Sequence, residues 1–274
     1  MYITNRVDVA EIAEFCGVDR IFVDLEYIGK NERQGGMDTV QNKHSIEDIV
    51  VIRKHIKKSQ LLVRINSIHK SAEAAVSSKD EIDKVIASGA DIVMLPYFKT
   101  LDEVKNFVTW VDGRVKTMLL IETPEAVEIV DDILEVDGID EVFVGLNDLS
   151  LGYGKKFMFE LLIDGTVERL CEKFKAKGLP YGFGGIASIG KGMLPSERII
   201  PEHYRMGSTC TILSRSFCNI ALLENLDEIR EIFESGMSKI RAFEKGCSIK
   251  NNSWYDENRK KVNEIVQEIL ENIK

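Results

Sequence analysis

Apolar runs of four to six residues recur along this chain, with longer amphipathic stretches between most of them. The runs are residues 20–25 (RIFVDL), 61–65 (LLVRI), 91–95 (DIVML), 116–121 (KTMLLI), 141–145 (EVFVG), 180–183 (PYGF) and 208–213 (STCTIL). Most are rich in β-branched and large aliphatic residues and too short for helices, so they predict strands. Several are apolar at consecutive positions, which suits a parallel sheet buried on both faces. Between them, residues 7–15, 45–58, 71–88, 100–110, 124–136, 164–177 and 224–245 carry a 3.6-residue apolar period. Ser45 with Asp48 has capping-box spacing, and Thr123 before Pro124 is an N-cap followed by a first-turn proline. Residues 2–4 supply an eighth strand. Repeated β–α units impose right-handed parallel crossovers. Eight of them without a central reversal favour a (β/α)8 TIM barrel over a doubly wound sheet.

A length of 274 residues fits one large barrel as well as two small domains, and the C-terminal part is longer than closing one barrel needs. Residues 1–219 are expected to form the barrel catalytic domain. Residues 220–274 form a C-terminal helical extension packing on the barrel or on a neighbouring subunit. In it, NNSWYDE with Trp254 and Tyr255 is expected to interrupt two charged helices. A hydrophobic content of 44% excludes a disordered chain. The balance of 36 basic against 45 acidic residues, net −9, argues against a nucleic-acid partner. No apolar run approaches 18 residues, so no membrane span is expected. The acidic first residues do not read as a secretory signal. Five cysteines without CxxC spacing disfavour a zinc site or a disulfide framework and fit a cytoplasmic protein. None has the neighbours that would make it a nucleophile.

Barrel enzymes place their chemistry where strands end. The expected strand ends carry Asp24 and Glu26, then Arg64 and Asn66, Glu122, Asn147 and Asp148, the GFGG glycines 182–185, and Ser214-Arg215-Ser216. Glu122 and Asp148 lie 26 residues apart, one β/α unit, and should share one mouth. Two carboxylates, waters and a substrate oxygen suit an octahedral hard cation such as Mg²⁺ or Mn²⁺. Equally, each carboxylate could cap the following helix or pair with a surface lysine. Arg64 ends an apolar strand, where a charge must be paired or used. It could hold a carboxylate through two parallel hydrogen bonds, or form a structural salt bridge to Asp24 or Glu26.

Together these residues resemble the HpcH/HpaI aldolase and citrate lyase β-subunit family. The stretches that carry the resemblance are GVDRIFVDLE (17–26), VRIN (63–66), GADIVMLPYFKTLDEV (89–104), IETPEAV (121–127) and VDGIDEVFVGLNDLS (136–150). The most specific pair is IETPEA followed by GLNDLS. The resemblance implies a (β/α)8 barrel in a homo-oligomer, with a divalent metal held by Glu122 and Asp148. It implies that Arg64 binds the pyruvyl or oxaloacetyl part of a substrate. The implied activity is a carbon–carbon lyase or aldolase working through an enolate of a 2-keto acid, with an aldehyde or acyl partner. A condensing, synthase-type enzyme and a barrel that only binds metal and anion are the alternatives.

One position departs from the family. Its pyruvate aldolases read D-x-E-H at the second strand, with the histidine in acid/base chemistry. Here the stretch reads Asp24-Leu25-Glu26-Tyr27. A tyrosine, with an ordinary pKa near 10, is a poor base at neutral pH. The loop that follows, IGKNERQGGMDTVQNKH, ends at His44 just before the Ser45 cap. His44 is therefore expected to return to the mouth and replace the missing histidine; the alternatives are a metal-bound water oriented by Asp24 or Glu26, and Tyr27 filling the slot with a changed activity. Lys30 and Arg33 in that loop, with Arg215, the backbone of Gly184 and Gly185 and the side chain of Asn147, are the expected substrate contacts. The glycines are expected to lie in a loop after the seventh strand. His69 is a second acid/base candidate. His55 is expected to be exposed and His203 to be structural.

Overall fold

In the computed structural model, which describes residues 1–28, 44–69 and 76–273, eight parallel strands close into a barrel in the order β1 to β8. The strands are β1 (Tyr2–Ile3), β2 (Arg20–Asp24), β3 (Gln60–Arg64), β4 (Ile92–Leu95), β5 (Lys116–Ile121), β6 (Glu141–Val144), β7 (Tyr181–Ile186) and β8 (Cys210–Leu213). The helices are α1 (Val7–Phe15), α2 (Ile46–His55), α3 (Ser78–Ala87), α4 (Leu101–Val111), α5 (Pro124–Glu128), α6 (Val130–Leu134), α7 (Leu146–Gly152), α8 (Glu160–Ile163), α9 (Thr166–Lys177), α10 (Ser196–Met206), α11 (Leu226–Ser248) and α12 (Asn252–Asn272). The barrel with C-terminal helices is thus the architecture that the apolar alternation predicts. Among the described residues no helix is long and apolar enough to cross a membrane.

Side-chain alternation splits the core in two. Phe22, Leu62, Ile92, Met94, Met118, Leu120 and Phe143 point inward and fill the barrel. Their neighbours Ile21, Val23, Leu61, Val63, Val93 and Leu119 point outward beneath the helices. Every such strand residue is buried on one side or the other, hence the continuous apolar runs.

The caps at Ser45 and Thr123 form as expected: the Ser45 hydroxyl and the Asp48 carboxylate bond each other's backbone N–H, and Thr123 Oγ1 accepts from Ala126 N at 3.1 Å. Several boundaries differ from the sequence reading. The stretch 124–136 breaks into α5 and α6 at Ile129, whose backbone leaves the helical region. The helix at 45–58 stops at His55, because Ile56 is extended. In the stretch 71–88 the described helix begins at Ser78, and residues 70–75 lie outside the described residues. Trp254 and Tyr255 do not interrupt the last two helices. They sit in the first turn of α12, which Asn251 caps, and the break falls at residues 249–251. The GFGG glycines are a correction too. They are not a loop but part of β7, whose register against β8 shifts between Gly182 and Gly185.

Candidate functional site

The carboxyl ends of β2 and β3 are locked together by charge. Asp24 and Arg64 are direct register partners. Asp24, fully buried, accepts from Arg64 Nε and Nη2, both at 2.8 Å. Arg64 Nη1 lies 3.3 Å from Glu26 Oε2. Burial opposes the guanidinium charge, but Asp24 and Glu26 outweigh it and hold its pKa well above the ordinary value. The salt bridge foreseen for Arg64 is therefore present, to both acids. A guanidinium has five N–H donors. Nε and one N–H on each terminal nitrogen face these acids, so Nη1 and Nη2 each keep one further N–H.

His44 lies against the same pair. Its Nδ1 accepts the backbone N–H of Asp24 at 3.0 Å. A ring nitrogen that accepts carries no proton, so the neutral imidazole carries its proton on Nε2. His44, Asp24, Arg64 and Asp148 line one cavity of about 500 Å³ at the barrel mouth.

Glu122 directly follows β5. Its carboxylate is buried and accepts the N–H of Tyr97 at Oε1, 3.1 Å away. Tyr97 adopts a left-handed backbone (φ 47°), which a non-glycine residue tolerates only at a cost. That turn is what aims its N–H at Glu122. Gly145, after β6, packs against the other carboxylate oxygen: a Cβ there would stand 2.8 Å from Glu122 Oε2. Helix capping is left to Thr123, so it does not explain Glu122. Asn147 and Asp148 are not at a strand end. They occupy the first turn of α7, which begins two residues after β6 stops. Arg64, Glu122, Asn147, Asp148, Gly184, Gly185 and Arg215 all line a second mouth cavity of about 440 Å³. Gly184 has φ +53°, and a Cβ there would meet Leu146 at 2.7 Å, so this turn of β7 requires glycine.

The structure thus gathers Asp24, Glu26, His44, Arg64, Glu122, Asn147, Asp148, Gly184, Gly185 and Arg215 at the same end of the barrel. Lys30 and Arg33 lie outside the described residues. His69 is not at the mouth chemistry. It is buried, with Nδ1 2.7 Å from Ser67 O and Nε2 3.1 Å from Val76 O, and pins a loop. His55 pairs with Glu11 in solvent. His203 is buried, stacks on Phe183 at 3.8 Å, and burial lowers its pKa to about 3. Burial pushes the Cys171 thiol up to about 12 and that of Cys210 up to about 11, the opposite of an activated nucleophile.

Two features escaped the sequence reading. Asn66 is a hub: its Oδ1 accepts from Tyr27 N (2.9 Å) and Ile28 N (3.1 Å), while Nδ2 donates to buried Glu81 at 2.8 Å. The second is an apolar wall at residues 157–159, whose sequence FMF carries no helical period. A cavity of about 580 Å³ lies at the other end of the barrel, around the bidentate Arg20–Glu141 pair at 2.7 and 2.8 Å. That end of a (β/α)8 barrel contributes stability rather than chemistry.

A closed (β/α)8 barrel with carboxylates and an arginine at its carboxyl-end mouth defines a barrel enzyme class. Comparison with known proteins is more specific. The family model for HpcH/HpaI aldolase/citrate lyase matches residues 2–160, and the chain belongs to that family. A hydroxypyruvate/pyruvate aldolase of Sagittula stellata is 25% identical over 178 residues, covering 54% of this chain and 61% of that protein. A 2-keto-3-deoxy-L-rhamnonate aldolase of Escherichia coli is 23% identical over 212 residues, covering 65% of this chain and 71% of that protein. The crystal structure of an HpcH/HpaI aldolase from Desulfitobacterium hafniense shares the fold, with a TM-score of 0.59, 17% identity and coverage of 88% and 91% of the two chains.

Proposed function

We propose that this chain is a divalent-metal-dependent carbon–carbon lyase that acts on a 2-keto acid through a pyruvate-type enolate. The observation that carries the reading is the convergence of Arg64, Glu122 and Asp148 on one cavity. Family membership and the relatives' aldolase names agree with it.

The residues fit a hard cation. Two oxygen donors, with the remaining positions left to water and substrate, are how Mg²⁺ and Mn²⁺ usually bind. Glu122 and Asp148 would hold the metal, which supplies Lewis-acid stabilisation of enolate charge worth several kcal/mol. Tyr97 N–H and Gly145 fix the rotamer of Glu122. The N–H left on each terminal nitrogen of Arg64 forms a fork for the keto acid carboxylate. Asp24 and Glu26 hold that fork still. His44 presents Nε2–H and donates a hydrogen bond to a substrate oxygen. Its acceptor bond from Asp24 N–H disfavours a base role at Nε2.

The test is exchange of the C3 protons of pyruvate in D₂O, followed by NMR with Mg²⁺, Mn²⁺ or no metal. Metal-dependent exchange that Glu122→Gln abolishes is expected. Absence of exchange with every metal tried, in folded protein, would overturn the reading.

A further inference from the structure

The 440 Å³ cavity is two-sided in character. Its charged groups come from the ends of β3, β5 and β8 and the start of α7. The segments after α7 and after β7 contribute only Phe157, Met158, Phe159, Met193, Leu194 and small residues. The sequence around the first segment is KKFMFE, and its polar members turn away. Lys155 pairs with Asp164 at 2.9 Å, and Glu160 accepts from Lys156 N and Phe157 N. Phe157 and Phe159 pack edge to face at 5.3 Å and are nearly fully buried. The floor is Phe22, Met94, Leu120 and Phe143 from inside the barrel.

From this wall we infer the class of the second substrate: an aldehyde with a hydrocarbon tail, aliphatic or aromatic. The inference rests on the proposed enolate chemistry and names the electrophile for the same site. In the step, pyruvate gives up a C3 proton and the enolate carbon bonds to the aldehyde carbon. The carbonyl electron pair moves to its oxygen, which takes up a proton. The product is a 4-hydroxy-2-keto acid, and no other reactant is needed. A polyhydroxylated tail would leave its hydroxyls against aromatic and thioether surface without partners, which a site rejects strongly. A hydrocarbon tail gains about fourfold in binding per buried methylene.

The experiment uses the whole chain with Mg²⁺ and has two arms. In the first, kcat/KM for addition of pyruvate to propanal, butanal, pentanal, hexanal and glyceraldehyde is measured. A rise of about fourfold per methylene is expected, with glyceraldehyde at least tenfold below hexanal. The exposed Met193→Gln, which should fold normally, is expected to flatten the rise. In the second, calorimetry compares binding of 2-oxobutanoate, 2-oxohexanoate and 2-oxooctanoate, which needs no turnover. Affinity that climbs with tail length supports the inference even if C3 exchange fails, which would refute the enolate chemistry alone. C3 exchange with a flat or falling series in both arms, or a preference for glyceraldehyde, overturns the apolar electrophile and leaves the enolate reading standing.

Discussion

Gly145→Ala separates the placement of Glu122 from everything else at the mouth. Gly145 has φ −82°, a conformation alanine adopts freely, so the backbone is not strained. The added methyl would meet Glu122 Oε2 at 2.8 Å, Glu122 Cβ at 2.9 Å and Leu120 Cδ1 at 3.2 Å. Ordinary contact begins at 3.4 Å, so the carboxylate must retreat by roughly 0.6 Å. Glu122 cannot move far, because its Oε1 is held by Tyr97 N–H and its surroundings are packed. Overpacking of this kind costs about 1–3 kcal/mol. For a domain of this size each kcal/mol lowers Tm by about 2–4 °C. If Glu122 is a metal ligand, Mn²⁺ affinity should fall about 10–100-fold, as when a ligand's support is lost. Thermal unfolding with and without Mn²⁺, together with Mn²⁺ titration by EPR, measures both. A variant that loses a few degrees but binds Mn²⁺ as tightly as the parent refutes the assignment of Glu122.

Further outcomes follow from other residues. Burial lowers the His203 pKa from 6.5 to about 3, so the fold keeps this ring neutral while the unfolded chain protonates it below 6.5. Its share of stability is full above pH 6.5 and is lost as pH falls from 6.5 toward 3. His203→Phe, which keeps the stack on Phe183, should show a smaller Tm drop between pH 7.5 and 5 than the parent. Asn66→Leu removes the shared acceptor of Tyr27 N and Ile28 N and the Nδ2 donor to buried Glu81, and should cost about 1–3 kcal/mol in urea unfolding, chiefly because the buried Glu81 carboxylate loses a hydrogen bond. Gly246→Ala, in the last turn of α11 with nothing within 4 Å of the new methyl, should stabilise by up to about 0.5 kcal/mol in the same assay. Arg64→Lys should raise KM for the keto acid at least tenfold, since one ammonium cannot present a two-nitrogen fork while serving Asp24 and Glu26.

The barrel was legible because each strand is buried on both faces. Runs such as IVML, and MLLI at 118–121, have no polar position to obscure them. Glu122 and Arg64 were legible for the related reason that a charge ending such a run must have a purpose. What stayed hidden depends on contacts distant in sequence. Nothing near Asn66 reveals that it reaches Tyr27 on one side and Glu81 on the other. The left-handed Tyr97 follows a proline and looks like any turn residue. Glycine read as a loop signal misplaced GFGG, because in β7 the glycines answer crowding by β8: a Cβ on Gly182 would stand 2.2 Å from Cys210 O. His44 was expected at the mouth from its position before Ser45, but only the structure shows which ring nitrogen meets Asp24.

The seam of the barrel is thin. β1 contributes two residues, and its ladder to β8 is a single register pair, Tyr2 with Leu213. Backbone bonds from Met1 to Thr211 and Leu213 flank it. What clamps it is Tyr2, whose hydroxyl donates to Cys218 O at 3.1 Å and whose ring meets Phe233 of α11 at 4.8 Å. During synthesis a ribosome must therefore release more than two hundred residues before the first strand finds its last partner. Phe233 of α11 is the last of these contacts to emerge, so the seam gains its full set only then. Arg215 lies just past β8, so a charged group of the mouth hangs on the seam that Tyr2 and α11 clamp.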